Sequence, residues 1–188
     1  MTSPTKHALL SASSAHRWLS APPLPRLEQY FPQSTSTAAE EGTAAHALAE
    51  YKVHRALGDL KFPRPSSGYQ CDEMELLTDD YSSYIMEQYV KAKKFAKDPL
   101  IKVELKLDFS QYVPEGFGTG DCVIVSDHLL HIIDFKYGKG VKVVARNNPQ
   151  MKLYALGALA MFGNLYNIDE VETTIFQPRM SNISTWTI

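Results

Sequence analysis

Gly118-Thr-Gly-Asp121-Cys-Val-Ile-Val-Ser126 is followed by Asp127-His128 and then by Leu129-Leu-His-Ile-Ile-Asp134-Phe-Lys136. Two apolar runs of strand length, rich in β-branched residues and split by a short turn, read as a hairpin. The turn lacks the favoured glycine. In an antiparallel pair the start of one strand lies beside the end of the next, so Asp121 and Asp134 are neighbours. Alternation along a strand puts Asp134 and Lys136 on one face. Two carboxylates aimed at one point repel unless positive charge lies between them. Hard cations such as Mg²⁺ or Mn²⁺ supply it and take oxygen ligands. Such an ion lowers the pKa of bound water and polarises a phosphoryl oxygen. An amine beside it, here Lys136, orients the attacking water or offsets charge growing on the phosphate. The set suits phosphodiester hydrolysis, although Asp-x-Lys by itself also fits an ordinary ion pair at a strand end.

On the N-terminal side, Ile101-Lys-Val-Glu-Leu-Lys-Leu-Asp-Phe109 alternates apolar and charged residues and predicts a half-buried strand. Pro114 to Gly118 is a turn. Before it, helical periodicity predicts helices over 78–96 and from Thr37 to Leu57. Thr37 is the expected N-cap of the second, with Glu40 in the capping-box position and Gly58-Asp59 as the stop. Pro63 to Gly68 reads as a linker. Ser11 to Leu19 predicts a short helix capped by Ser11 or Ser13 and ended by Ala21-Pro-Pro-Leu-Pro25; the stretch on to Thr37 reads as loop. On the C-terminal side, Pro149 opens a helix running to about Phe162, and 171–178 reads as a last strand. The order predicts one α/β (α+β) domain over 1–188: an N-terminal helix and loop (1–37), a helical part (38–100) and a sheet core (101–178).

Two further patterns join the hairpin. Gln150-Met-Lys-Leu-Tyr154 puts Gln150 and Tyr154 on one helix face. Gly42-Thr-Ala-Ala-His46 lies in the early helix. Taken in order, Gly42…His46, Gly118-Thr-Gly-Asp121, Asp134-Phe-Lys136 and Gln150…Tyr154 resemble the RecB-like branch of the PD-(D/E)XK nucleases, and phage and prophage proteins of that branch in particular. The resemblance spans Gly42 to Tyr154. It implies a restriction-endonuclease-like core, a central mixed sheet flanked by helices. It implies a metal-dependent DNA nuclease, an exonuclease or DNA-end-processing enzyme in phage recombination or repair, working with Mg²⁺ or Mn²⁺. His46, Asp121, Asp134 and the backbone carbonyl of Phe135 would be the metal ligands, and Lys136 the catalytic lysine. Gln150 and Tyr154 would brace the site and contact the DNA backbone. Some relatives carry cysteines for an iron–sulfur cluster; here Ala21-Pro22 stands where Cys-Pro would be, so no cluster is expected. The alternative is a catalytically inactive nucleic-acid-binding module of the same fold.

Glu104 is near the site by topology. It is either a supporting or second-metal carboxylate, or part of a solvated strand face alternating with Val103 and Leu105. Glu50 and His54 continue the His46 stripe and read as a solvated face; His128 and His131 are assigned no chemistry.

A net charge of −2 signals no global attraction to nucleic acid, so a DNA partner requires local segregation of charge. The sequence has it. No acidic residue lies between Asp134 and Asp169, whereas Lys136, Lys139, Lys142, Arg146 and Lys152 do. Lys139, Lys142 and Arg146 are the candidates for tracking a phosphate backbone. Two cysteines, Cys71 and Cys122, are too few for a disulfide framework or a four-cysteine metal site. No apolar run is long enough to span a bilayer and no signal segment opens the chain, so a cytoplasmic protein is expected, in the host cytoplasm if phage-encoded. Homo-oligomers or a phage recombination protein are compatible partners.

Overall fold

The four strands expected from the sequence form, and a fifth completes the sheet. The protein is described from a computed structural model, over residues 8–31 and 35–188. Strands β1 (Leu100–Asp108), β2 (Phe117–Val125) and β3 (His128–Phe135) run antiparallel in sequence order. β4 (Ile168–Gln177) pairs parallel to β3, and β5 (Asn182–Thr187) pairs antiparallel to β4. The result is a five-stranded mixed sheet of order β1-β2-β3-β4-β5. The one parallel pair needs a crossover, which helix α5 (Pro149–Phe162) supplies.

Helices cover both faces, as a mixed α/β sheet of restriction-endonuclease-like architecture requires. Leu48 and Val53 of α3 (Thr37–Ala56) and Tyr81 and Ile85 of α4 (Asp72–Phe95) pack against Cys122, Ile124, Ile133 and Phe135. On the other face, Met151, Leu153, Tyr154 and Ala158 of α5 meet Val123, Val125, Leu130 and Ile132, with Trp18 alongside. Full burial of each such aliphatic side chain stabilises by roughly 1.5–3 kcal/mol. β2 and β3 are therefore apolar on both faces, unlike the half-exposed β1.

Several local expectations are corrected. Ser36, not Thr37, caps α3: its Oγ accepts from the Ala39 N–H at 3.2 Å. Ser11 and Ser13 make no capping bond. Residues Ala12–Ser14 form a 3-10 turn leading into α1 (Ala15–Ser20), and the Ser11 carbonyl instead accepts from Trp18 Nε1 at 2.9 Å. The expected loop contains α2 (Leu24–Glu28), opened by Pro23 and Pro25; three residues of that loop, 32–34, lie outside the described set. α4 begins six residues before the expected Thr78, with Asp72, Glu73 and Glu75 in its first turn, where acidic groups complement the helix dipole. Asn148 caps α5 through Gln150 N and Met151 N, with Pro149 in the first turn as expected. The sheet core runs past 178, because β5 follows a left-handed turn at Ser181 (φ +46°).

One irregularity places the site. Ile101 and Val103 pack in the α3/α4 layer, yet Leu105 and Leu107 pack in the α5 layer. Strict alternation would keep all four on one face. The change falls at Glu104, whose φ is +48°. β2 changes face at the opposite point: Gly118 and Gly120 look toward Tyr154 and Leu107, whereas Cys122 and Ile124 enter the α3/α4 core. The β1–β2 register is the same on both sides of the step, Val103↔Cys122 and Leu105↔Gly120, so no residue is inserted. Glu104 and Asp121 stand opposite each other at this shared twist. A Cβ on Gly118 would sit 2.7 Å from Tyr154 Cε1 and 3.2 Å from Ala12 Cβ. Gly118→Val is therefore expected to lose about 1–3 kcal/mol of stability in urea unfolding, through overpacking of β2 against α5; wild-type stability would show that contact to be loose.

Candidate metal centre

The β1–β2 twist turns Asp121 out of simple alternation and toward α3. Its Oδ1 lies 3.2 Å from His46 Nδ1, and its Oδ2 accepts from the Phe135 N–H at 2.6 Å. The carboxylate thus bridges helix and sheet and lies against the residue next to Asp134. His46, Glu104 and Asp121 bring one potential ligand atom each to within 4.8 Å of one another. Glu104, for which the sequence leaves open a supporting or second-metal carboxylate or a solvated strand face, stands in this group. Asp134, expected in it, is not a member.

Asp134 is instead held from the α5 side. Gln150 Nε2 donates to its Oδ1 at 2.7 Å and also reaches Tyr154 Oη at 3.2 Å. Lys136 Nζ lies 3.0 Å from Asp134 Oδ2 and donates to Gln150 Oε1 at 3.0 Å. The Lys136–Oδ2 contact has the distance of an ion pair without the alignment of a hydrogen bond, so Oδ2 is a buried acceptor with no hydrogen-bond partner among the described residues. The pairing of Asp134 with Lys136, and of Gln150 with Tyr154, follows the expected spacing. Phe135 presents its N–H to Asp121 and buries its ring against His46 (centroids 5.3 Å apart) and Tyr81 (4.8 Å).

Burial opposes charge at each of these groups, and their neighbours decide the outcome. For His46 burial favours the neutral ring, but the adjacent Asp121 carboxylate outweighs it and raises the imidazole to about 9. Asp121 is correspondingly held low despite its own burial, chiefly by His46. Burial pushes Asp134 up, aided by Asp121 and opposed by Lys136. Burial would neutralise Lys136, yet Asp134 and Asp121 keep its amine protonated. Glu104 is driven up to about 7 by burial and then by Asp121. Glu50, expected on a solvated face, is half-buried, and burial raises its carboxyl too; His54 stacks on Phe62 at 3.9 Å.

The basic run divides. Lys142 and Arg146 are exposed. Lys139 lies 3.4 Å from Glu73, and Lys152 donates to Asn147 at 2.9 Å beside the Trp186 ring. Arg179 carries no motif in the sequence. Its guanidinium bonds Glu41 (2.9 and 3.2 Å) and Glu73 (2.6 Å) and lies over Tyr137, tying the strand end to the starts of α3 and α4. Neither partner is within a hundred residues of it in the chain, so no local pattern announces the pairing.

A family model described as Protein of unknown function (DUF2800) matches residues 7–188. The chain belongs to the DUF2800 family. The match takes in every site residue of this DUF2800 chain, from Glu41 to Arg179, as well as β5. No helix among the described residues is long and apolar enough to cross a membrane.

The site donors can be tested for fit to a cation. One imidazole and two carboxylates whose ligand atoms lie within 4.8 Å of one another, beside the Asp134–Lys136 ion pair, make an oxygen-rich set with a single nitrogen. That chemistry suits Mn²⁺ or Mg²⁺, with the imidazole favouring the softer Mn²⁺.

Without a divalent ion, the proton on His46 supplies the charge that Asp121 needs. The raised His46 stabilises the fold fully below its unfolded value of about 6.5, and that contribution is lost as pH rises toward 9. Glu104 acts in the same sense: its raised pKa costs stability as pH climbs from 4.5 to about 7. The metal-free protein is thus expected to melt at progressively lower temperature from pH 5 to pH 9. Asp121→Asn should bring the His46 imidazole, followed by NMR, below 6.5, since burial is then the larger influence. An imidazole still near 9 in that variant would exclude Asp121 as the cause.

Proposed function

We propose that this chain is a divalent-metal-dependent nuclease that hydrolyses DNA phosphodiesters. The supporting observation is the convergence of His46, Glu104 and Asp121 within coordinating distance, beside the Asp134–Lys136 pair. His46, Glu104 and Asp121 would hold the ion, with Asp134 Oδ2 as the adjoining acceptor. When bound, the ion activates water and draws charge from the scissile phosphate.

The chain's own groups do the rest. Lys136, protonated and fixed by Gln150 and Asp134, presents a positive charge to the phosphate. Gln150 holds Asp134 in one orientation through its Oδ1. Tyr154, through Gln150 and against Gly118, fixes α5 to the strand that carries Asp121. Exposed Lys142 and Arg146 extend the cationic surface beyond Lys136 and suit a nucleic-acid backbone. A role as an exonuclease or end-processing enzyme in phage recombination rests on the resemblance alone. The engagement of Asp134 by Gln150 and Lys136 favours a second reading, a nucleic-acid-binding module that does not cleave.

Lys136→Ala and Asp134→Ala are expected to lower Mn²⁺-dependent cleavage of linear DNA by at least about 10²-fold, with the fold kept. Full activity in either variant would end the assignment. DNA binding by wild type without cleavage in Mn²⁺ would favour the second reading. Because His46 must lose its proton and Glu104 must be ionised to bind a cation, Mn²⁺ affinity should rise with pH between 6 and 9. Titration calorimetry in buffers of different ionisation enthalpy should show proton release. A pH-independent affinity would remove His46 and Glu104 from the ligand set.

A further inference from the structure

The chain leaves the site at Lys136 and returns to it at Gln150, and Lys136 Nζ donates to Gln150 Oε1 at 3.0 Å. The segment between them is therefore a loop closed at its base by two site residues. Its far side is strapped to the last two strands. Gln177 Oε1 accepts from the Val143 N–H at 3.0 Å, and its Nε2 donates to the carbonyls of Gly138 (3.1 Å) and Val141 (2.9 Å). Asn182 Nδ2 donates to the Val143 carbonyl at 2.7 Å, and Ser184 Oγ accepts from the Ala145 N–H at 3.0 Å. Gln177 and Asn182 are themselves buried, so water does not compete for these bonds. A loop held in this way has little freedom left to lose when a partner binds.

The apolar residues of the loop divide. Val143 and Ala145 turn inward and pack in the α5-side core. Val141 and Val144 turn outward and are 77% and 51% exposed. Lys142 and Arg146 stand beside them, exposed, and make no ion pair or side-chain hydrogen bond among the described residues, whereas Lys139 is held by Glu73. A solvated face accounts for the two cations. It does not account for two valines held out to water on a loop whose backbone is fixed.

We propose that the 138–147 loop is a preformed nucleic-acid-binding element, in which Lys142 and Arg146 take phosphates while Val141 and Val144 pack on the sugars and bases of the bound nucleic acid. The inference deepens the nuclease reading and rests on it for the identity of the partner. Charge and place favour that partner: the loop has no acidic residue, and its base is the Lys136–Gln150 pair beside the metal centre. Aliphatic side chains set among cations are a recurring way to add apolar contact to phosphate binding. The two contributions respond differently to salt. Phosphate contacts release counterions and weaken as salt rises. Burial of a valine carries no charge and is nearly indifferent to salt.

Binding to a labelled DNA oligonucleotide of mixed sequence is measured by fluorescence anisotropy in EDTA over a salt series. The single-stranded or the duplex form is used, whichever wild type binds more tightly. Lys142→Ala and Arg146→Ala are each expected to reduce the slope of log K against log salt by about 1. The double variant Val141→Ser/Val144→Ser is expected to bind about tenfold more weakly at every salt concentration, with the wild-type slope. Leu165→Ser removes a comparably exposed aliphatic side chain beyond the far end of α5 and should bind as wild type does. All four changes are at exposed positions, and melting temperatures confirm that the fold is kept. If the double variant does not fold, Val141→Ser alone carries the test.

Wild-type affinity in the valine variant overturns the inference, as does a loss confined to low salt or an equal loss in Leu165→Ser. Unchanged slopes in both cation variants overturn it too. Each of these results leaves the nuclease reading standing if wild type cleaves DNA in Mn²⁺. A wild type that binds neither form in EDTA overturns the inference, and the nuclease reading falls with it only if cleavage in Mn²⁺ is absent as well.

Discussion

A buried carboxylate has to be met by donors or by positive charge, and Asp121 is met by both. The Phe135 N–H holds one oxygen and the His46 imidazole faces the other, so a single side chain joins β2 to β3 and the sheet to α3. Removing one partner of such a pair leaves the other charge uncompensated, a costly outcome in a desolvated site. The backbone has accommodated this. Alternation counted back from Cys122 would put Asp121 on the α5 face, away from His46, and counted on from Gly120 would put it on the α3/α4 face. The matched change of face in β1 and β2, with Glu104 in a left-handed conformation, brings it to the boundary between the two helical layers.

From that boundary the rest of the site follows. Below it, Phe135, Tyr81 and the α3/α4 core fix the ring environment of His46. On the other side, Gln150 ties Asp134, Lys136 and Tyr154 into one network, and α5 is placed by an asparagine cap and a glycine that lets Tyr154 approach β2. The acidic half of the site is presented by sheet and α3, the cationic half by the end of β3 under α5. Arg179 closes the arrangement by binding Glu41 and Glu73 at the starts of α3 and α4.

How much of this was legible in the sequence depended on the range of the interaction. The hairpin was legible because apolar runs of strand length and the short turn between them are local properties, as is the period-two alternation of β1. The same locality revealed the Asp134–Lys136 and Gln150–Tyr154 pairs, which share a strand face or a helix turn. β5 was missed because Asn182-Ile-Ser-Thr-Trp-Thr187 has only brief apolar alternation and is a strand by virtue of its pairing with β4. α2 was hidden by prolines that also serve at helix starts. Topology put Glu104 near the site, but the choice between a site carboxylate and a solvated strand face stayed open, because its positive φ breaks the rule from which faces are inferred. Arg179 was invisible for a different reason: it is recognised only through partners 138 and 106 residues away.

Charge gives the arrangement its internal logic. A chain of net charge −2 has no general affinity for a polyanion, and its site adds Asp121, Asp134 and Glu104, which would repel a phosphate at close range. Protonation of His46 and partial protonation of Glu104 lower that repulsion without a metal, but they do so by occupying the very atoms that would coordinate one. A divalent ion in their place carries twice the charge of the His46 proton and releases Glu104 to ionise. Lys136 remains positive in either state because the buried acids beside it hold its proton. On the proposed metal reading, cation binding and phosphate approach would be coupled through the same few side chains: an ion in the acidic half would lower the repulsion felt by an anion approaching Lys136.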